Sequence, residues 1–376
     1  MKLTILKEKL KKGLYITERA SAKSITLPIL QNILFVCEKN FLNLNCTDLE
    51  IGICWWGLVK VEKEGKILLP LKKISDFLNF LPEKPILIEK KDDFVLFNCD
   101  SFSSKIKTYN PDEFPIIPKI QAPKVINIPA QLLTKQIKKI MNFSSFSTTR
   151  PEISGIHFSF NRNILKIAAT DSFRLGETTL FLPQNSFFEK ELSFILPQRA
   201  AKEIVNIFSS LDKDLKIYTN PSQLSIETDM EETSHPEILF TSRLIEGEFP
   251  DYQAIVPKKF ALETVFFKEE FLRQVKAASI FSPKNNEIKL KFNPQEGEVE
   301  ITSENPEFGS YSSFLKGKIE GKPFTISFNY RFLLEGVEQI EGKEFSLQIT
   351  NEEGPALIKS AEKEDFFYIL MPIRAV

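Results

Sequence analysis

Three segments of this chain open in the same way, spaced about 125 residues apart, and a repeat of that length restricts the fold more than any single motif. Each opening is a short strand followed by an amphipathic helix. Leu3-Thr4-Ile5 precedes a helix over Lys7–Leu14, Val125-Ile126-Asn127-Ile128 one over Gln131–Met141, and Thr264-Val265-Phe266-Phe267 one over Glu269–Ala278. Leu6, Leu10 and Leu14 recur at helical spacing in the first. Leu133, Ile137 and Ile140 do so in the second, and Phe271, Leu272 and Val275 in the third.

Alternating strands come next. Ile33-Leu34-Phe35-Val36 leads to Phe41–Asp48, and Ile156–Phe160 leads to Leu165–Asp171. The pairs Thr47-Asp48 and Thr170-Asp171 lie 123 residues apart. The third copy, Ile288–Phe292 then Val299–Thr302, keeps the alternation and loses the Asp. A second helix then follows a strand in each copy, carrying Ile74, Phe77, Leu78 and Leu81, then Ile204, Val205 and Phe208, then Phe332, Leu333, Val337 and Ile340. The first two copies close on Asp112-Glu113-Phe114-Pro115 and Gly247-Glu248-Phe249-Pro250-Asp251-Tyr252. Three domains are expected, 1–121, 122–250 and 251–376, each with two helices and about eight strands. Strands often follow one another through short turns, so the unit is not βαβ. The expected class is α+β, with helices packed on antiparallel sheets.

Bulk properties agree with such a chain. Its 376 residues suit two or three cores, and 42% hydrophobic with 26% charged residues reads as soluble and globular. No apolar run is long enough to span a bilayer, and Met1-Lys2-Leu3-Thr4-Ile5 alternates like a strand rather than a signal peptide, so a cytoplasmic protein is expected. The four cysteines, Cys37, Cys46, Cys54 and Cys99, form no Cys-x-x-Cys pair and read as buried thiols on strands. With His157 and His235 as the only histidines, zinc sites and histidine-based catalysis have little to work with, and no metal or cofactor is expected.

Net charge is −1, from 49 basic and 50 acidic residues, yet the helices concentrate basic side chains. They hold Lys7, Lys9, Lys11 and Lys12; Lys72 and Lys73; Lys135, Lys138 and Lys139; Arg199 and Lys202; Arg273 and Lys276; and Arg331. One reading is an ordinary solvated face. The other is a set of helices offered to a phosphate backbone, sequence-independent because no base-reading motif accompanies them. The recurring Asp48 and Asp171 invite a paired-carboxylate enzyme, but a repeated turn, with Thr and Asp capping backbone groups locally, accounts for them without catalysis.

At this point the residues resemble a known family, the bacterial β sliding clamp (DNA polymerase III β subunit). The resemblance runs from Met1 to Met371-Pro372-Ile373-Arg374 and is carried by Thr26–Asn32, Thr47-Asp48-Leu49-Glu50, Ala169–Leu175, Glu248–Tyr252 and Tyr368–Arg374 in order. It implies a non-enzymatic processivity factor: three clamp-type domains per subunit, and two subunits joined head to tail as a homodimer ring of six domains. Helices then line the hole around duplex DNA, and sheets form the outer wall. The alternative is a peptide-binding scaffold of the same fold that does not encircle DNA.

The resemblance also implies residue roles. A groove for short linear peptides of the replicative polymerase, clamp loader and repair proteins would comprise Ile153, Thr170, Ser172, Phe173, Arg174, Leu175, Pro250, Ile255, Phe332, Pro355, Ile369, Met371, Pro372, Ile373 and Arg374. Plain core packing is the competing account of residues such as Leu175 and Ile369. DNA-facing residues would be Lys7, Lys11, Lys23, Lys72, Lys73, Lys135, Lys138, Lys139, Arg150, Arg199, Lys202, Arg273 and Lys276. Ser104 and Ile106 would meet Ile280 and Phe281 of a partner subunit. The chain departs from the family pattern in places. Ser172 and Phe173 stand where many members have Gly and His, Ala254 where a relative has Arg, and Ser24 where some members have a DNA-contacting Arg, with Lys23 beside it.

Overall fold

A computed structural model describes residues 1–21, 27–120, 125–147, 149–182 and 188–374. Among them are six α-helices: α1 (Lys7–Thr17), α2 (Leu71–Leu78), α3 (Ala130–Ile140), α4 (Gln198–Phe208), α5 (Lys268–Ser279) and α6 (Tyr330–Glu338). A strand runs directly into each of them. Lys2–Leu6 leads into α1, for example, and Leu262–Phe267 into α5.

The described residues divide into two compact units. One holds Met1–Lys135 with Arg199–Leu244, the other Gln136–Gln198 with Ile245–Val376. In the first, a five-stranded antiparallel sheet runs in the order Lys60–Lys63, Lys2–Leu6, Pro85–Lys91, Phe94–Cys99, Phe102–Lys107. An eight-stranded sheet beside it joins Ile51–Leu58, from the first repeat, to Pro236–Arg243, from the second, with Trp55 opposite Ile238. The second unit is built alike. Its nine-stranded sheet pairs Arg174–Phe181 with Phe366–Leu370, and its four-stranded sheet ends on Gly309–Lys316. The compact units therefore do not follow the repeat, because the sheets hydrogen-bond straight through the repeat boundaries.

Alternation decides which side chains enter the core. Along Lys2–Leu6, Leu3 and Ile5 point inward and are buried. Leu6, expected on the apolar stripe of α1, ends that strand on the outward side and is 58% exposed. The buried stripe of α1 is Leu10, Gly13, Leu14 and Thr17, laid against Phe41–Thr47 and Ile51–Leu58, each buried leucine contributing about 1.5–3 kcal/mol. In the second unit α5 lies against Glu298–Asn305 and beside α6, with Phe271, Val275 and Ala278 buried. The result is helices on antiparallel sheets.

All four cysteines are buried, unpaired and on strands. Burial pushes the thiols of Cys37 and Cys54 up, to about 11 and about 12, which leaves them poor nucleophiles. No described helix is long and apolar enough to cross a membrane.

Candidate binding groove

The two Thr-Asp pairs build the same turn twice. Thr47 Oγ1 donates to the Ile51 carbonyl at 2.9 Å and accepts the Leu49 N–H at 3.0 Å, while Asp48 Oδ1 accepts the N–H groups of Glu50 and Ile51. Thr170 and Asp171 make the equivalent bonds to Arg174, Ser172 and Phe173. Both carboxylates are thus occupied in fixing backbone, which supports the turn over paired-acid chemistry.

In the second repeat this turn borders a cavity of about 160 Å³. Its lining includes ten residues expected in the groove: Ile153, Thr170, Ser172, Phe173, Arg174, Leu175, Pro250, Ile255, Ile369 and Met371. Arg150, Asp251 and Tyr252 line it as well. Leu175 and Ile369 form a small core cluster with Ala168, Tyr252 and Leu357, so those two are both wall and core. Phe332, Pro355, Pro372, Ile373 and Arg374 are not part of the cavity wall. Pro372 is buried, and the segment around it is pinned by backbone bonds from Met371 N to Phe173 O and from Ile373 N to Ser327 O.

Arg174 was expected to contact a peptide as one of the groove residues. It is instead only 9% exposed and is committed internally. Its donors reach Asp171 Oδ2 at 2.9 Å, Glu335 Oε2 at 2.6 Å and the Asn142 carbonyl at 3.0 Å, and the group lies over the Phe332 ring at 4.2 Å. Its role is to brace the turn against α6. Arg150, expected to face DNA, takes the rim place. It is exposed, reaching Glu152 through Nε and Ser172 Oγ through Nη1.

Sequence reasoning missed a buried polar brace behind the groove. Glu177 is 3% exposed and accepts from Tyr252 Oη and Gln253 Nε2, both at 2.7 Å, with Lys166 Nζ at 3.3 Å. Burial, then the Glu177 carboxylate, pushes the Tyr252 phenol well above its ordinary range, so it stays a donor. A carboxylate in the middle of a strand, Glu177 within Arg174–Phe181, was the available signal.

The first repeat differs at the corresponding turn. Register places Gly52 where the second repeat has Leu175, since Thr47 pairs with Gly52 as Thr170 pairs with Leu175. A Cβ on Gly52 would stand 2.7 Å from Thr241 Oγ1 and 2.8 Å from Ile117 Cγ2. Ile117, from the segment after Pro115, packs directly onto Gly52.

Family models match almost the whole chain in sequence order. The N-terminal domain of the DNA polymerase III beta subunit matches residues 1–118, its central domain 127–251 and its C-terminal domain 253–374. The chain belongs to the DNA polymerase III β-subunit family. Among curated relatives, the beta sliding clamp of Bacillus subtilis is 26% identical over 388 residues, covering all of both chains. Among solved structures, the DNA polymerase sliding clamp of Bacillus subtilis superposes with a TM-score of 0.93 at 26% identity, covering both chains fully. A sliding clamp of Bartonella birtlesii bound to griselimycin does so with 0.92 at 25% identity, again over both full chains.

The basic residues expected to face DNA separate in this β subunit. Lys11, Lys72, Lys73, Lys135, Lys138, Arg199, Lys202, Arg273 and Lys276 are exposed, although Arg199 pairs with Asp48 and Lys276 with Glu338. Lys7 and Lys139 correct the expectation. Lys7 is 6% exposed, its ammonium held by the Leu81 carbonyl and Glu83. Lys139 is equally buried, 2.9 Å from Glu341 and 3.6 Å from Asp365. Lys23 lies outside the described residues. Ser104 and Ile106 sit half-buried on Phe102–Lys107, the end strand of the five-stranded sheet. Ile280 is 72% exposed at the end of α5, which excludes core packing for it, and Phe281 stacks on Tyr311 of the end strand Gly309–Lys316.

Proposed function

We propose that this chain is a DNA sliding clamp that closes as a head-to-tail homodimer, encircles duplex DNA in the cytoplasm, and tethers the replicative polymerase and other partners through short peptides. The carrying observation is the series of three β-subunit domains in order, over residues 1–118, 127–251 and 253–374. Each subunit contributes three clamp domains, 1–121, 122–250 and 251–376, to a ring of six. The free edges Phe102–Lys107 and Gly309–Lys316 pair between subunits, so that Ser104 and Ile106 meet Ile280 and Phe281 of the other copy.

The exposed lysines and arginines of the helices face the duplex and supply a loose, salt-sensitive attraction. Retention comes from encirclement, which explains a net charge of −1 in a DNA-binding protein. The clamp performs no bond chemistry. Its groove, centred on Ile153, Leu175, Pro250, Ile369 and Met371, takes an apolar side chain of an extended peptide, and Phe332, Pro355, Pro372, Ile373 and Arg374 extend the contact beyond the cavity.

The test is topological. Protein loaded onto circular DNA should stay bound and be released when the circle is cut once. Equal loss from circular and linear DNA would leave only the peptide-binding scaffold.

A further inference from the structure

Arg150 and Ser172, two lining residues of the groove cavity, are hydrogen-bonded to each other at its exposed side. Arg150 Nη1 donates to Ser172 Oγ at 3.1 Å, and its Nε donates to Glu152 Oε1 at the same distance. Both residues line the cavity, whose other walls are dominated by Ile153, Leu175, Ile369 and Met371. The hydroxyl is held in place by a rigid support. Ser172 has a left-handed backbone, φ 79°, its N–H held by Thr170 Oγ1 and the next two N–H groups by Asp171 Oδ1. The guanidinium is likewise anchored by Glu152. Leu49, at the same place in the first repeat, has no hydroxyl to offer.

We propose that the Arg150–Ser172 bond is a crossbar that sets the selectivity of this groove, an inference that rests on the groove being the peptide site. An entering apolar side chain must part the two groups, and the guanidinium then needs another oxygen. An extended peptide supplies one, because a backbone carbonyl adjoins every side chain, and an acidic neighbour would supply a stronger one. A purely apolar molecule offers none, and the half-exposed Arg150 then exchanges the Ser172 hydroxyl only for water. The ligand class is therefore a peptide carrying an aliphatic residue with a carbonyl or carboxylate oxygen beside it.

The experiment uses the full-length chain and griselimycin, the ligand of the Bartonella birtlesii clamp, with association and dissociation rates measured by stopped flow. Ser172→Ala and Ser172→Gly both remove the hydroxyl, but alanine strains a left-handed position and glycine relaxes it. Loss of the crossbar should speed association by about threefold to tenfold in both variants. Arg150→Ala should speed association similarly and dissociation at least as much. Unchanged association in the Ser172 variants, or opposite signs for alanine and glycine, would overturn the crossbar while leaving the groove intact. Absence of binding to the unaltered chain, or undiminished binding to Ile255→Asp on the exposed wall, would overturn the groove reading and the crossbar with it.

Discussion

Leu49 and Ser172 hold the same position in successive repeats and share one backbone conformation, φ 78° and 79°. The Thr-Asp turn forces both residues into the left-handed region, which costs a non-glycine residue about 1–2 kcal/mol. Leu49 is 45% exposed, so its side chain gains little from burial. Leu49→Gly should therefore stabilise the chain by up to about 1 kcal/mol, the strain released less the added freedom of the unfolded glycine. Leu49→Val should do the reverse. Urea midpoints would measure both, and a lower midpoint for the glycine variant would refute strain at this turn.

Lys7 and Lys11 are one turn apart on α1 and should behave oppositely. Lys7→Ala strands the Leu81 carbonyl while the exposed Glu83 carboxylate returns to water, and should cost about 1–3 kcal/mol of stability. Lys11→Ala, on the exposed face, should leave stability unchanged but weaken DNA loading more as salt falls. Denaturation paired with a loading assay separates the two; a stability loss at Lys11 alone would contradict the burial assigned here.

His157 gives the fold an acid-sensitive point. Burial pushes its imidazole down to about 4, opposed by Glu191, while its ring stacks on Phe249 at 4.8 Å. The unfolded chain takes up the proton at the ordinary value of 6.5, so the folded chain is favoured in full above that pH. As pH falls towards 4, about 3 kcal/mol is lost. His157→Phe keeps the stack and removes the titration, so its stability should fall less than that of the unaltered chain between pH 6.5 and 4. Parallel curves would mean that His157 takes up its proton as readily in the fold as in the unfolded chain.

Gly336 on α6 touches Tyr368, with a Cβ placed 2.2 Å from Tyr368 Cε1. Tyr368 is fully buried, donates to the Phe332 carbonyl and belongs to the strand carrying Ile369 into the groove. Gly336→Ala should destabilise by about 1–3 kcal/mol and weaken binding of a peptide in the proposed groove. A destabilised variant with unaltered binding would uncouple α6 from the groove.

The repeat, the helix-on-sheet class and the Thr-Asp turn were legible because each rests on neighbours in sequence. The period-2 strands and the local capping bonds of Asp48 and Asp171 need no distant partner. What was hidden depends on long separations. Lys138 and Lys139 are both basic and adjacent, and only Glu341 and Asp365, some two hundred residues on, decide that Lys139 turns inward. Arg174 reads as a groove residue, and only Glu335 decides that its guanidinium is committed internally. Gly52 shows a subtler case: the difference from Leu175 is visible when the copies are aligned, but the packing of Ile117 onto Gly52 is a tertiary fact.

The pairing of Ile51–Leu58 with Pro236–Arg243 means that the unit of duplication is not a unit that can be excised. A fragment ending near residue 121 would lose the strand that covers Ile51–Leu58 and expose a free ladder edge in a strand that carries Trp55 and Trp56. Such an edge invites pairing with another chain. Isolated single copies of this repeat should therefore self-associate. By the same reasoning, a founding single-copy ancestor would have met its own kind along that edge, and later fusion of the copies would have turned an intermolecular contact into an internal one.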